Sequence, residues 1–183
     1  MAKLVVSEEV SLDGVVQDPT GEEGFRHGGW FNRVGAETRR AWAEVKTKEA
    51  FAATALLHGR KTDEWFGSRW STREGEWADR LNSLPKYVVS SKLVDPVWGN
   101  STVLEGDVVG EVTRLKRELD GELVLFASRE LAVAEHDRIH GQSHLVDDEL
   151  LFAELSDQRP LRLIEARMLG DGLAQLYYER ARD

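Results

Sequence analysis

Short β-rich runs alternate with helical patterns from the N-terminus to about residue 126, and that alternation admits few architectures. Residues 4–10 are β-rich and lead to the turn pair Asp13-Gly14. Residues 34–48 read as a helix, with Val34, Ala41, Trp42 and Val45 near one face. Residues 54–58 form a short buried strand, and Thr62 is the expected start of the next helix. Residues 74–81 give another helix, ending at Asn82-Ser83 before Pro85. Residues 86–90 and 101–104 are strands. Asp107 is placed to cap a helix reaching about Glu118, with Val108, Val112 and Leu115 on its inner face. Asp120-Gly121 then turns the chain into a strand at 123–126. Two extended runs, 161–169 and 173–178, flank Gly170-Asp171-Gly172 and read as a hairpin. The expectation is a single α/β domain over residues 1–183: a mostly parallel central sheet flanked by helices, with an antiparallel C-terminal hairpin. No repeat, low-complexity segment or interdomain linker interrupts it.

The stretch richest in chemistry is Leu56-Leu57-His58-Gly59-Arg60-Lys61-Thr62. An apolar strand runs straight into Gly59, which permits close backbone approach, then into two cations and a hydroxyl. A strand that feeds a helix N-terminus in this way suits a phosphate. A plain basic turn gives the same residues, so the neighbours decide.

Bulk properties restrict the partners. The formal net charge is -9, a field that disfavours nucleic acid. There is no cysteine, hence no disulfide or thiolate metal site, which suits a cytoplasmic protein. The opening Met-Ala-Lys-Leu-Val-Val is too short an apolar run for a signal peptide, and no stretch has the length of a membrane span. Five of the six tryptophans, Trp30, Trp42, Trp65, Trp70 and Trp77, fall in the first half and read mainly as packing or pocket wall.

Glu8 and Glu9 close the first strand, and strand alternation turns one of them inward. His136, His140 and His144 are spaced by four. On a continuous helix they would share a face and, with Asp147, Asp148 or Glu149, could hold Zn²⁺ or another divalent metal. Gly141 and Ser143 interrupt such a helix, and a solvated polar face accounts for the same residues, so no metal is assigned. Neither a nucleophile elbow nor a P-loop pattern is present.

Four motifs occur in order: Ser11-Leu12-Asp13-Gly14-Val15, then Gly59-Arg60-Lys61-Thr62, then Lys86-Tyr87-Val88-Val89-Ser90-Ser91, then Trp98-Gly99-Asn100-Ser101. This series resembles the dihydrofolate-reductase-like family, which includes the C-terminal reductase domain of the riboflavin-pathway deaminase/reductase. The resemblance covers residues 3–128 and 160–179, and residues 129–159 diverge. It implies a dihydrofolate-reductase-like fold and NADPH as cofactor. Gly59, Arg60, Lys61 and Thr62 would meet the cofactor's phosphates, Ser90 and Ser91 would lie near its adenosine end, and Lys92 would pair with a 2′-phosphate. Leu12, Asp13, Gly14 and Val15 would close over the nicotinamide. Ala127, Ser128 and Arg129 stand near the pyrophosphate, where the family carries Gly-Ser-Gly or Gly-Gly-x.

Arg129 puts a large side chain where backbone and phosphate should touch, which impairs cofactor binding unless Arg129 pairs with the phosphate itself. The family also continues from a Val-Asp-Glu element into a long strand and a Gly-x-Gly turn. Here Leu145-Val146-Asp147-Asp148-Glu149-Leu150-Leu151-Phe152 leads to Ala153-Glu154-Leu155-Ser156 instead. A strand is therefore expected to be missing, leaving the sheet shorter, rearranged or completed by another chain.

The resemblance implies an NADPH-dependent reductase of a pterin or aminouracil, with a small-molecule substrate and a homodimeric assembly. The alternative is a non-catalytic member with an altered cofactor site, acting as a ligand-binding or dimeric interaction module. A metal-dependent activity at the histidine series ranks third.

Overall fold

The computed structural model describes residues 1–128, the backbone of 138–142, and 160–181. Strand β1 is Lys3–Glu9, β2 Ala53–Gly59, β3 Lys86–Val89, β4 Ser101–Leu104, β5 Glu122–Phe126, β6 Arg138–Gln142, β7 Leu161–Leu169 and β8 Leu173–Arg180. Helix α1 is Ala36–Ala52, α2 Arg60–Trp70, α3 Glu76–Ser83 and α4 Val108–Glu118, with a 3-10 turn at Trp30–Arg33. One sheet takes the order β4-β3-β2-β5-β1-β6-β8-β7. Every pairing from β4 to β6 is parallel; β8 runs antiparallel to β6, and β7 antiparallel to β8.

Alternation along the strands builds two cores. Leu4 and Val6 of β1 join Ala55, Leu57, Leu123 and Leu125 under Val112 and Leu115 of α4. Val5, on the opposite face of β1, joins Leu56, Val124 and Phe126 under Ala50 of α1, Phe66 of α2 and Leu81 of α3. A third cluster seats Leu169 and Leu173 of the hairpin against Trp30, Phe31, Val34 and Val45. The turn Gly170-Asp171 is fastened to α1: the Thr38 hydroxyl donates to Asp171 Oδ1 at 2.9 Å. Gly170 (φ +61°) has no room for a side chain, since a Cβ there would lie 2.2 Å from Thr38 Oγ1.

Three expectations are corrected. Helix α2 begins at Arg60 with Gly59 as its N-cap, so Thr62 sits inside the first turn rather than starting the helix. Asp107 is at the N-cap of α4, but its side chain makes no capping bond. Residues 138–142 form a strand, β6, between β1 and β8; the stretch after Asp147-Asp148-Glu149, where a strand is expected to be missing, lies outside the described residues. That same strand contains His140, so the shared helix face proposed for the histidine series does not pass through it. Arg129, His136, His144 and the 145–156 stretch lie outside the described residues.

Candidate active site

Parallel strands place their C-terminal ends on one edge, and four of the expected loops collect there. The 11–15 loop follows β1, Gly59 closes β2, Ser90-Ser91-Lys92 follows β3, and Ala127-Ser128 follows β5. β5 is inserted between β1 and β2, so the tips of these three strands adjoin, and ligands of open α/β sheets gather at such an edge.

Hydrogen bonds knit these tips together. The Gly59 amide donates to Ser128 Oγ at 2.9 Å, and the Thr62 hydroxyl donates to Ala127 O at 2.7 Å and lies 3.1 Å from Ser128 Oγ. Ala127 is held at φ +46°, in the left-handed region that favours glycine. That is the position where the related motif carries its first glycine, and the backbone keeps the glycine-like shape without it. The Ser128 amide in turn donates to Glu8 Oε1 at 2.7 Å. Glu8 is buried; loss of hydration, reinforced by the neighbouring Glu9, pushes its pKa up to about 8 against the opposing pull of the Ser128 amide and Lys46. At neutral pH it is a carboxylic acid.

The cations expected to face phosphate are accessible. Arg60 is 40% exposed and pairs with Glu64 at 2.7 Å, a solvent-screened contact of little strength. Lys61 and Lys92 are exposed. No side chain caps α2, so its first-turn amides remain directed at the strand-tip edge. The Ser90 hydroxyl accepts from the amides of Lys92 and Leu93 at 3.1 and 3.0 Å, shaping the turn after β3. In the β1 loop, Ser11 Oγ accepts from the Val15 amide at 2.8 Å and donates to Asp13. Gly14 (φ +93°) permits the bend, Val15 is buried, and Leu12 projects outward at 67% exposure.

Both glutamates at the end of β1 are turned into the protein, one on each face, rather than one alone. Glu9 lies on the α1 face, where a buried cluster forms that the sequence reading did not identify. Lys46 Nζ of α1 contacts Glu9 Oε1 at 2.8 Å and Glu49 Oε2 at 3.2 Å, and donates to Ser7 Oγ at 2.7 Å. Trp42 Nε1 donates to Glu9 Oε1 at 3.2 Å, and Ser7 Oγ donates to Glu49 Oε2 at 2.9 Å. Burial pulls the Lys46 ammonium down, but Glu49 and Glu9 override it and the pKa ends above the ordinary lysine value. Tyr177 of β8 faces the same cluster; burial first, and Glu49 second, raise its pKa. Beside it, buried Gln175 donates from Nε2 to the Tyr177 hydroxyl at 2.5 Å, while its Oε1 has no partner among the described residues. A cleft walled by Phe126, Trp77, Leu81 and Ala50 opens onto Lys46 and Glu49. The signal was in the spacing: Lys46 falls on the Trp42–Val45–Glu49 stripe, a charge at a core position.

This edge can seat an anion, through the α2 amides and Arg60, Lys61 and Lys92. On the adjacent α1 face the Lys46 ammonium is already engaged by Ser7, Glu9 and Glu49. Of the histidine series, His136, His144 and the acidic residues 147–149 lie outside the described residues; among the described residues no group of three or more His, Asp and Glu is placed to hold a metal ion. Nor is any helix among them long and apolar enough to cross a membrane.

No family model matches the chain, and no curated protein matches it by sequence. Solved structures do match in shape. A candidate riboflavin biosynthesis protein from Shewanella sp. PV-4 superposes with a TM-score of 0.69 at 20% identity over 100% of both chains. RibD of Acinetobacter baumannii gives 0.63 at 12% identity, covering all of this chain and 59% of that one. Dihydrofolate reductase from Enterococcus faecalis, complexed with NADP(H), gives 0.59 at 13% identity over 98% and 96% of the two chains. The fold is therefore dihydrofolate-reductase-like, as the motif series implied.

Proposed function

We propose that this chain is an NADPH-dependent reductase of a small nitrogen heterocycle, a pterin or an aminouracil, working in the cytoplasm. One observation carries this reading: β2 runs directly into the uncapped N-terminus of α2, with Arg60 and Lys61 at its start, beside the glycine-like turn at Ala127. These residues suit a dinucleotide. Arg60, Lys61 and the α2 amides would hold its phosphates, and Lys92, after the neighbouring strand, would favour the 2′-phosphorylated form. The bound dinucleotide supplies a hydride. The chain's part is to orient the acceptor ring and exclude water, and Leu12 is exposed and available to cover it.

A second reading, a non-catalytic ligand-binding module, is favoured by the internal bonding of two tip amides, Gly59 to Ser128 Oγ and Ser128 to Glu8. Titration with NADPH, followed by tryptophan quenching, separates the two. Saturable quenching supports the reductase; a flat response supports the module. A homodimer belongs to the same proposal, because β7 is an edge strand with seven of its nine residues exposed, Leu163, Ile164 and Met168 among them.

A further inference from the structure

One buried charge takes no part in the site above. Lys86 opens β3 and is 0% exposed. Its ammonium donates to three backbone carbonyls: Leu84 O at 2.9 Å, Gly99 O at 2.9 Å and Asn82 O at 3.2 Å. Three donors meet three acceptors, so its capacity is filled. The Trp98 ring lies 4.7 Å from Nζ, adding a cation–π contact. Among the described residues no carboxylate forms an ion pair with it. Burial pulls its pKa down to about 8, with Asp63 acting the other way, so it remains charged at pH 7.

Asp63 of α2 grips the same backbone from its other end. Its Oδ2 accepts from the amides of Val97 at 2.7 Å and Trp98 at 3.4 Å. The segment 97–99 thus has a carboxylate on its N–H groups and an ammonium on its last carbonyl. It lies so close to α2 that a Cβ on Gly67 would fall 2.7 Å from the Trp98 nitrogen. Asn82 completes the fastening, accepting at Oδ1 from Trp98 Nε1 at 2.7 Å.

We infer that the Lys86 ammonium is a tethered stand-in for a bound monovalent cation, filling a carbonyl cage and thereby locking the 97–99 segment against α2 and the end of α3. Apolar replacement leaves three inward carbonyls without a partner, a costly arrangement that an ammonium of matching size can repair. The inference concerns the chain without ligand and stands apart from the redox reading.

The test uses Lys86→Ala and Lys86→Met at pH 7, in sodium, potassium, ammonium and n-propylammonium chloride at equal ionic strength. Propylammonium is the fragment that Lys86→Ala removes. Thermal melting and hydrogen exchange of residues 97–100 are the readouts. Propylammonium is expected to raise the melting temperature of Lys86→Ala by on the order of 5 °C over sodium and to slow exchange at 97–100. Lys86→Met, whose side chain fills the channel, and the wild type are expected not to respond. Lys86→Ala behaving alike in all four salts, folded or unfolded, overturns the inference. So does Lys86→Met with wild-type exchange at 97–100.

Discussion

The Ser128 amide and the Glu8 carboxyl meet at 2.7 Å, joining residues 120 apart in sequence and tying the tip of β5 to the end of β1. The bond sits one residue after the left-handed Ala127 and beside the Gly59 amide, so any ligand at this edge meets a turn already set by Glu8. The protonation of Glu8 therefore couples to the stability of the whole edge.

Glu8 has a pKa of about 8 when folded and an ordinary value of 4.5. Between these the folded state holds a proton that the unfolded chain has lost, so stability falls as pH rises. The contribution is complete below the unfolded value and disappears as pH passes through the folded one. Glu8→Gln removes the titration. The wild type minus Glu8→Gln difference in unfolding free energy, from urea melts, is expected to decline by on the order of 4 kcal/mol from acid to mildly alkaline pH. A flat difference would show that folding leaves the pKa of Glu8 unchanged.

Ala127 carries a φ of +46° with no glycine to ease it. Ala127→Gly relieves that strain but makes the unfolded chain more flexible, and the relief is the larger effect. Ala127→Gly is expected to stabilise the protein by about 0.5–1 kcal/mol in the same melts. Destabilisation would mean that the turn is relaxed with alanine.

Lys46 balances two carboxylates in a buried cluster. Lys46→Met leaves Glu9 and Glu49 facing one another uncompensated, with an expected loss of about 3–5 kcal/mol. Adding Glu9→Gln and Glu49→Gln is expected to return much of that loss. Equal stability of the single and triple variants would remove the electrostatic explanation.

At the other edge, sedimentation is expected to give a dimer for the wild type and a monomer when Ile164→Lys and Met168→Lys are combined on β7, where both residues are exposed. A monomeric wild type at high micromolar concentration would remove the dimer from the proposal.

The fold was legible wherever the chain repeats a period. Val108, Val112 and Leu115 announced α4, and Gly170-Asp171-Gly172 announced the hairpin, because local pattern and core agree there. Strand β6 escaped notice: Arg138, Ile139, His140, Gly141 and Gln142 carry no strand signature, and pairing with β1 and β8 creates the strand. The strand-tip loops were identified from motif order, since each motif sits where a parallel strand ends. The Lys86 cluster was not, because a buried charge looks like any surface charge until its partners, 13 residues away for Gly99, are folded around it, and Lys46 was passed over although its place on the Trp42–Val45–Glu49 stripe put a charge at a core position.

The proposed dinucleotide seat at the start of α2 is tested most directly by calorimetric titration of wild type and Lys61→Glu with NADPH and NADH. The expected result is wild-type NADPH binding on the order of micromolar, weaker NADH binding, and at least about a tenfold loss in Lys61→Glu, or 1.4 kcal/mol. No heat from wild type with NADPH at about millimolar concentration would contradict the proposal and leave a reductase-shaped scaffold with another task.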